Sequence, residues 1–288
     1  MPDPADDTGR ALDVLVVGGI GTDESVFLPA PLRPGTYAHA HSQLRSTAGS
    51  AATVAAALID SGLSVAIAGA VGTDNESEWL TEAMMRLGVQ CHVRHVPGPS
   101  ARSLVLVDPD GERTIIGLTG DLLDCVEVPT ALLPEIRAVV FPAWRPQFGA
   151  SLAAAQEAGC RTIIGLRGLA DRTICADVAI GSREELGDTD LTDASERFPV
   201  IVVTEGQHGS YLVTKDGLER SDPFNVEPVD ATGAGDAFLA GFAAEWIRYS
   251  ALQVCMEMAT AWGALATERL GATPPPFAAV QTLLEGLR

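Results

Sequence analysis

Short apolar runs rich in β-branched residues alternate along the chain with longer segments of helical spacing. The run DVLVVGGI at 13–20 is followed by a small-residue helix predicted from AGSAATVAAALIDSG at 48–62, and a second strand, SVAIAGAVG, follows at 64–72. The same order recurs as far as PVIVVTEG at 199–206. Because strands that are apolar on both faces are covered by helices on both faces, the pattern predicts a Rossmann-like αβα sandwich around a parallel sheet.

Two segments break this rhythm, at about 24–47 and 92–117. The second contains DPDGE between two alternating runs, which is typical of a β-hairpin, and neither segment contains a helix that could cover a sheet face. We expect them to form a small accessory β-sheet that acts as a lid or as the pairing surface of a homodimer. His39 and His41 would share one face of such a strand, either as part of a polar face or as a metal-binding pair.

The length and the charge of the chain limit its partners. The 288 residues fit one α/β domain, which we place at 11–288 after a disordered tail at 1–10. The 19 Lys and Arg residues against 38 Asp and Glu residues give a formal net charge of −19. This charge disfavours nucleic acid and anionic membranes, so a small molecule is the expected partner.

The N-terminus and the cysteines indicate a cytoplasmic protein. MPDPADDTGR lacks the basic start and the apolar run of a signal peptide, and no uncharged apolar stretch of about 18 residues follows. The five cysteines form no CxxC pair and no cluster with histidine, so we expect buried, reduced thiols rather than disulfides or a structural zinc.

The stretch VDATGAGDAF at 229–238 carries the strongest candidate chemistry. It joins an extended segment to an apolar helix, so the backbone N–H groups of Gly233, Ala234 and Gly235 would form an anion hole with Asp236 in the first helical turn. Asp236 could take the proton of an alcohol while these groups bind the phosphate that is transferred; the alternative is a helix cap. Neither glycine cluster matches GxGxxG, which disfavours a nicotinamide-dependent dehydrogenase, and no Walker A loop is present.

The segment DATGAGDAFLAGF resembles the C-terminal signature of the ribokinase (PfkB) family of sugar kinases. Further segments resemble that family in the family's own order, over about 13–280: GGIGTDESVFLP, AGSAATVAAALIDSG, GAVGTDNESEWL, the lid hairpin DGERTII and the nucleotide loop TEGQHGSYLV. The resemblance implies a ribokinase-like fold with a β lid, and ATP-dependent phosphorylation of a sugar hydroxyl with magnesium and potassium.

The resemblance also implies roles for single residues. Asp236 would be the catalytic base beside the anion hole, and Asp23, Gly49 and Thr53 would bind the substrate. Glu184 would organise magnesium indirectly. The remaining implied residues are Thr204, Gly206 and Gly209 for the nucleotide, and Asp230, Thr232 and Gly271 for the monovalent cation. Arg145 is a further substrate-binding candidate, because it follows a strand whose carboxyl end should face the ligand crevice.

Several of these positions have a purely structural alternative, and some depart from the family pattern. Asp23 could be a turn or cap residue, Glu184 a solvated helix start, and Arg145 a surface charge. The Thr204 to Gly209 segment could be a tight turn only. Thr53 stands where the family has a sugar-contacting Asn, and Gly181 stands where its NxxE motif begins with Asn.

Three functions therefore remain open at this point. The first is a kinase for a small sugar such as ribose, fructose or a related ketose. The second is an adenosine-type nucleoside kinase of the same family. The third is a sugar-binding protein with weak or lost catalysis, which the substitutions at Thr53 and Gly181 motivate.

Overall fold

The computed structural model describes residues 9–286, and its strands form two separate sheets. Nine strands form the main sheet and four form the small one. The strands are β1 Leu12–Val17, β2 Gly21–Phe27, β3 Ser42–Ala48, β4 Val65–Val71, β5 Gln90–His95, β6 Ala101–Val107, β7 Arg113–Gly117, β8 Ile136–Phe141, β9 Arg161–Gly165, β10 Val178–Ser182, β11 Val200–Thr204, β12 Ser210–Thr214 and β13 Gly217–Ser221.

Helices cover both faces of the main sheet. They are α1 Ser50–Asp60, α2 Asn75–Arg86, α3 Gly149–Glu157, α4 Arg183–Leu186, α5 Leu191–Ser195, α6 Ala234–Ile247, α7 Leu252–Thr267 and α8 Phe277–Glu285. Alternate residues of β1 enter opposite cores, since Val14 and Val16 belong to one buried cluster while Leu15 and Val17 belong to the other. The predicted αβα sandwich is confirmed.

The strand order places a ligand crevice near β1. The order is β13-β12-β11-β10-β9-β8-β1-β4-β5, parallel from β11 to β5, with β12 and β13 antiparallel at the edge. The chain leaves β1 toward β4 on one side and returns to β8 on the other. In open α/β sheets, ligands bind at such a reversal, beyond the carboxyl ends of the strands.

The small sheet has the order β3-β2-β6-β7 and forms the expected lid. β2 pairs with β6 in parallel, and β6 and β7 form the predicted antiparallel hairpin around residues 108–112. Gly111 has φ +80°, a left-handed conformation that glycine adopts without strain.

The lid has different boundaries from those expected. Residues 29–41 form an exposed loop rather than a strand, because the prolines in this segment cannot donate to a β-ladder. His39 lies in this loop, with its ring edge-on to Tyr37, so His39 and His41 do not share a strand face. β5 pairs with β4 in the main sheet, since α2 returns the chain parallel to β4, and the second lid segment begins at Ala101 rather than at 92.

The expected N-terminal tail and the expected buried thiols are found only in part. Residues 1–8 of the expected tail lie outside the described residues, whereas the Arg10 guanidinium donates to the Ala158 carbonyl at 2.9 Å. Cys160 and Cys255 are buried as expected, but Cys175 is exposed because it lies on the loop that follows α3 and β9. Between Gly9 and Gly286, no helix is long and apolar enough to cross a bilayer.

Candidate active site

The first turn of α6 forms the centre of the candidate site. Gly233 is the N-cap with φ +77°, and a Cβ atom there would lie 3.0 Å from the Cα of Ala272, so this turn requires glycine. A Cβ on Gly235 would meet no atom within 4 Å, which shows open space beside the backbone. The Ala234 N–H donates to the Ala231 carbonyl at 3.3 Å, whereas the N–H groups of Gly235 and Asp236 have no acceptor within the helix, so this space suits an anion.

The N-terminus of α1 meets that of α6 through two side chains. Ser50, the first residue of α1, forms a side-chain hydrogen bond with Asp236. Its N-cap Gly49 has φ +91°, and a Cβ at this position would overlap the Gly19 carbonyl after β1. Glycine at 49 therefore brings α1 close to the carboxyl end of β1 and directs Ser50 toward Asp236.

Burial controls the protonation of Asp236. Desolvation raises the pKa of this carboxyl group from 3.8 to about 7, against the opposing hydrogen bond from Ser50. The negative charges of Glu185 and Asp23 raise the pKa further. A carboxylate whose pKa lies near neutrality is well matched to accepting a proton from an alcohol.

Asp23 reaches the same site from the lid. It lies on β2, opposite Ser103 of β6 and Ser46 of β3, and Ser103 forms a hydrogen bond with its side chain. Its pKa is raised by burial and by the charge of Asp230, while the Ser103 hydrogen bond opposes the rise. The structure thus brings Asp23 and Asp236 close enough for their charges to interact. Their roles as substrate-binding and catalytic carboxylates stay predictions.

Asp230 is a fully buried carboxylate on the other side of the glycine turn. Its Oδ1 atom accepts from the Thr232 hydroxyl at 2.6 Å and from the Thr232 N–H at 2.9 Å, and its Oδ2 atom accepts from the Gly271 N–H at 2.8 Å. The three residues expected around a monovalent cation are therefore in direct contact with one another. Their hydrogen bonds fix the shape of the loop that precedes α6.

The lid rests on this loop at two points. Arg113 of β7 places its Nη1 atom 3.9 Å from Oδ1 of Asp230, and a Cβ on Gly111 would lie 2.8 Å from the Val229 carbonyl. From β3, Leu44 lies 3.1 Å from where a Cβ on Gly271 would be. The small sheet is thus closed over the loop in this structure.

The two glutamates at the start of α4 lie in different environments. Glu184, expected to organise magnesium, is exposed, and hydrogen bonds from its own backbone and from Ser182 lower its pKa. Glu185 is partly buried, and its charge acts on Asp236. A Cβ on Gly181 would overlap the carboxylate of Glu185, so the missing side chain at 181 leaves room for Glu185. The magnesium role of Glu184 stays a prediction.

The expected nucleotide residues follow the carboxyl end of β11. Thr204 ends this strand, and Gly206 and Gly209 have φ +57° and +85°. A Cβ on Gly209 would overlap the Ser221 carbonyl, so the turn packs closely on the segment after β13. That segment borders a cavity of about 570 Å³ whose lining includes Leu212, Ser221, Asp222, Phe224, Met256 and Thr260. An adenine base could fit between these apolar and polar groups.

Arg145 and Thr53 make no described contact with Asp236 or with the turn before α6. Arg145 donates to Asp121 at 2.9 Å and lies 3.8 Å from Asp124, and it borders a smaller cavity of about 250 Å³ that Glu185 also lines. Thr53 lies in α1, one turn after Gly49, with 4% of its surface exposed. Direct substrate contacts of both residues stay predictions.

Four residues of the site were missed by sequence reasoning: Ser50, Ser103, Arg113 and Glu185. Ser50 and Arg113 lie inside segments that resemble family motifs. For Ser50 the sequence offered a signal, since this serine directly follows Gly49 at the start of the predicted helix. Ser103 could have been found from strand register alone, whereas Glu185 requires the orientation of a four-residue helix.

The profile of the pfkB family carbohydrate kinases matches residues 13–142 and 166–278. The chain therefore belongs to the pfkB family of carbohydrate kinases, and the expected class of activity, a kinase with a carbohydrate acceptor, is confirmed.

Individual relatives agree with this assignment. The chain is 31% identical to ATP-dependent ribose-1-phosphate kinase of Halopiger xanaduensis, over 92% of this chain and 95% of that protein. It is 29% identical to 1-phosphofructokinase of Xanthomonas campestris, over 80% and 83% of the two chains. The solved structure of Arabidopsis thaliana ribokinase complexed with ribose and ATP matches with a TM-score of 0.79 at 21% identity, covering 96% of this chain and 99% of that one. This last match supports the ribokinase-like fold.

Proposed function

We propose that the protein transfers the γ-phosphate of ATP to a hydroxyl group of a small sugar, with Asp236 as the general base. The observation that carries this proposal is the Asp236 carboxylate, with its pKa raised to about 7, in the first turn of α6 beside the open space at Gly235. Asp236 takes the hydroxyl proton, the oxygen forms a bond to the γ-phosphorus, and the bond to the ADP oxygen breaks. The α6 N–H groups stabilise the charge on the transferred group.

Asp23 supports a polyhydroxylated acceptor such as ribose, fructose or a related ketose. A carboxylate accepts hydrogen bonds from two neighbouring hydroxyl groups, and Asp23 lies on the lid face that turns toward Asp236. Closure of the lid over the acceptor excludes water that would otherwise take the phosphate. Gly49, Thr53 and Arg145 are proposed to complete the acceptor site.

A sugar monophosphate is a second candidate acceptor. The near full-length similarity to ATP-dependent ribose-1-phosphate kinase favours it. The lid also carries Arg45, Arg102 and Arg113, each within an ion pair with a carboxylate, and guanidinium groups are suited to binding phosphate.

The residues fit the two cations that the family implies. Carboxylate groups of Glu185 and Asp236 lie near the anion hole, and magnesium is commonly held by one or two carboxylates together with water and substrate phosphates. Bound magnesium would neutralise the charge of the phosphates. The fully buried Asp230 suits a monovalent cation, for which we propose potassium with Thr232 and Gly271.

The oligomeric state and the cellular location of the protein are proposed from its surface and its composition. Ile115 and Ile116 on β7 are 56% and 42% exposed, which supports a homodimer formed through the lid. Light scattering on the purified protein measures the mass of the particle. The formal net charge of −19 supports an enzyme without nucleic-acid or anionic-membrane partners. The five free cysteines support a reducing, cytoplasmic location.

The proposed function is tested by a screen for ADP release with magnesium and potassium. The acceptors are ribose, fructose, their 1-phosphates and adenosine, each at several concentrations. ADP formed in proportion to a phosphorylated sugar supports the proposal. Turnover of adenosine alone would identify a nucleoside kinase, and sugar binding by calorimetry without ADP formation would identify a binding protein.

A further inference from the structure

We propose that Glu76, in the first turn of α2, is a positioning residue that holds Asp23 in place for the sugar. The inference rests on the proposed function, in which Asp23 binds the acceptor, and it adds the residue that fixes this part of the lid to the main body of the protein. Asp23 lies two residues after Gly21, where β2 begins, so its position depends on how this end of the lid is attached.

One carboxylate oxygen of Glu76 joins α2 to two strands of the lid. Its Oε1 atom accepts from the Thr22 hydroxyl of β2 at 2.7 Å and also from the Arg45 guanidinium of β3. The Cζ atom of Arg45 lies 4.4 Å from the ring centre of Trp79, one turn further along α2. Arg45 is thus held by a charge and by an aromatic ring of the same helix.

These contacts are made on the face of the lid that points away from the candidate site. Successive residues of a strand point to opposite faces, so Thr22 and Asp23 point in opposite directions. Arg45 is paired with Glu24 in the β2–β3 register, which places it on the face of Thr22, whereas Asp23 shares its own face with Ser103. Glu76 therefore holds β2 from behind while Asp23 faces Asp236.

The contact is shielded from water, so it is stronger than an ordinary surface ion pair. Thr22 is 1% exposed and the Glu76 side chain 15%. Burial raises the pKa of Glu76, but hydrogen bonds from Arg45 and Thr22, with the charges of Arg45 and Arg102, outweigh burial and leave the pKa lowered. Glu76 is therefore ionised at neutral pH, and its removal leaves a buried hydroxyl without this acceptor.

The same turn of α2 also holds the strand that supports Asp23 from the other side. Asp74, the N-cap of α2, accepts from the Ser100 N–H at 2.9 Å and from the Ser100 hydroxyl at 2.6 Å. Ser100 directly precedes β6, which carries Ser103, the hydrogen-bond partner of Asp23. Because Asp74 also caps its own helix, a change there would disturb α2 itself, and Glu76 is the residue to test.

The test compares Glu76→Ala with the matched control Glu78→Ala. Glu78 lies in the same helical turn and is exposed, so its removal takes an equal charge from the helix N-terminus. Steady-state kinetics are measured with each sugar that releases ADP in the screen above. We expect the KM for sugar to rise about tenfold in Glu76→Ala, while kcat and the KM for ATP change by less than about twofold. The control should behave as the native protein does.

Two further variants show whether Glu76 acts through Asp23. Thr22→Val removes only the hydroxyl that Glu76 accepts from and keeps the ion pair with Arg45, and we expect it to raise the KM for sugar about threefold. It also serves if Glu76→Ala fails to fold. The double variant Asp23→Asn with Glu76→Ala should bind sugar no more weakly in calorimetry than Asp23→Asn alone, because both changes remove the same contact.

Three results would overturn the inference: an unchanged KM for sugar in both Glu76→Ala and Thr22→Val, equal losses for sugar and ATP, or additive losses in the double variant. Each of them leaves the kinase activity of the native protein standing. A native protein that releases no ADP with any acceptor overturns the proposed function instead.

Discussion

Replacing Asp236 with asparagine should make the protein more stable while it removes most of its activity. The rise in pKa from 3.8 to about 7 means that ionising this buried carboxyl group costs up to about 4 kcal/mol, at about 1.4 kcal/mol per pH unit. The side chain keeps some contact with solvent, so we expect about 1–3 kcal/mol.

The direction of the pH dependence follows from the sign of this shift. Below pH 3.8 the group is protonated in both the folded and the unfolded protein, and it does not affect the free energy of unfolding. Between pH 3.8 and about 7 only the unfolded state loses the proton, so the native protein becomes less stable relative to Asp236→Asn as the pH rises. Above about pH 7 the difference is constant and largest.

Urea denaturation of both proteins at pH 4, 6 and 8 measures this difference, which also contains the smaller effect of the Asp236 charge on the titration of Glu185 and Asp23. We expect similar unfolding free energies near pH 4 and a more stable variant at pH 8, together with a fall in kcat of about 10²-fold or more. A helix-cap role predicts a nearly silent change, because asparagine caps about as well as aspartate. Equal stability at pH 8 with near-normal turnover would therefore refute the reasoning.

Further predictions concern the rest of the site. The kcat/KM of the native enzyme should rise with pH through an apparent pKa near 7, as Asp236 loses its proton; a flat profile from pH 5 to 8 contradicts this assignment. Asp23→Ala should weaken sugar binding by about tenfold or more in calorimetry and leave ATP affinity nearly unchanged; an equal loss of both would place Asp23 elsewhere in the mechanism. Asp230→Asn should reduce the activation by potassium relative to sodium but keep residual turnover, and a fully retained response argues against a cation at Asp230. Amide hydrogen exchange in 42–48 and 101–117 should slow when sugar saturates the protein, whereas unchanged exchange there counts against lid closure.

The parts of the fold that could be predicted from sequence are those with a local cause. The glycine turn before α6 is such a case, because small residues between a strand and an apolar helix leave few backbone conformations, and Gly233 adopts the left-handed one. The parallel sheet follows in the same way from strands that are apolar on both faces.

The remaining features depend on how distant segments pack. Whether Glu184 or Glu185 faces Asp236 depends on the rotation of one short helix, where successive residues point about 100° apart. The contact of Ser50 with Asp236 requires two helix ends from opposite halves of the chain to meet. β5 has an alternating pattern that would suit either sheet, and only the return of α2 assigns it to the main one.

The contact between the lid and the Asp230 loop would couple the proposed binding of sugar to the proposed binding of a cation at Asp230. Arg113 reaches Asp230 itself, and Leu44, on another strand of the lid, lies beside Gly271, whose N–H group donates to Asp230. Opening the lid must therefore change the surroundings of the buried Asp230 carboxylate. Whatever factor a cation at Asp230 contributes to sugar affinity, sugar must contribute the same factor to cation affinity. The ratio of sugar dissociation constants in potassium and in a large organic cation thus measures, without any turnover, how strongly lid closure depends on this loop.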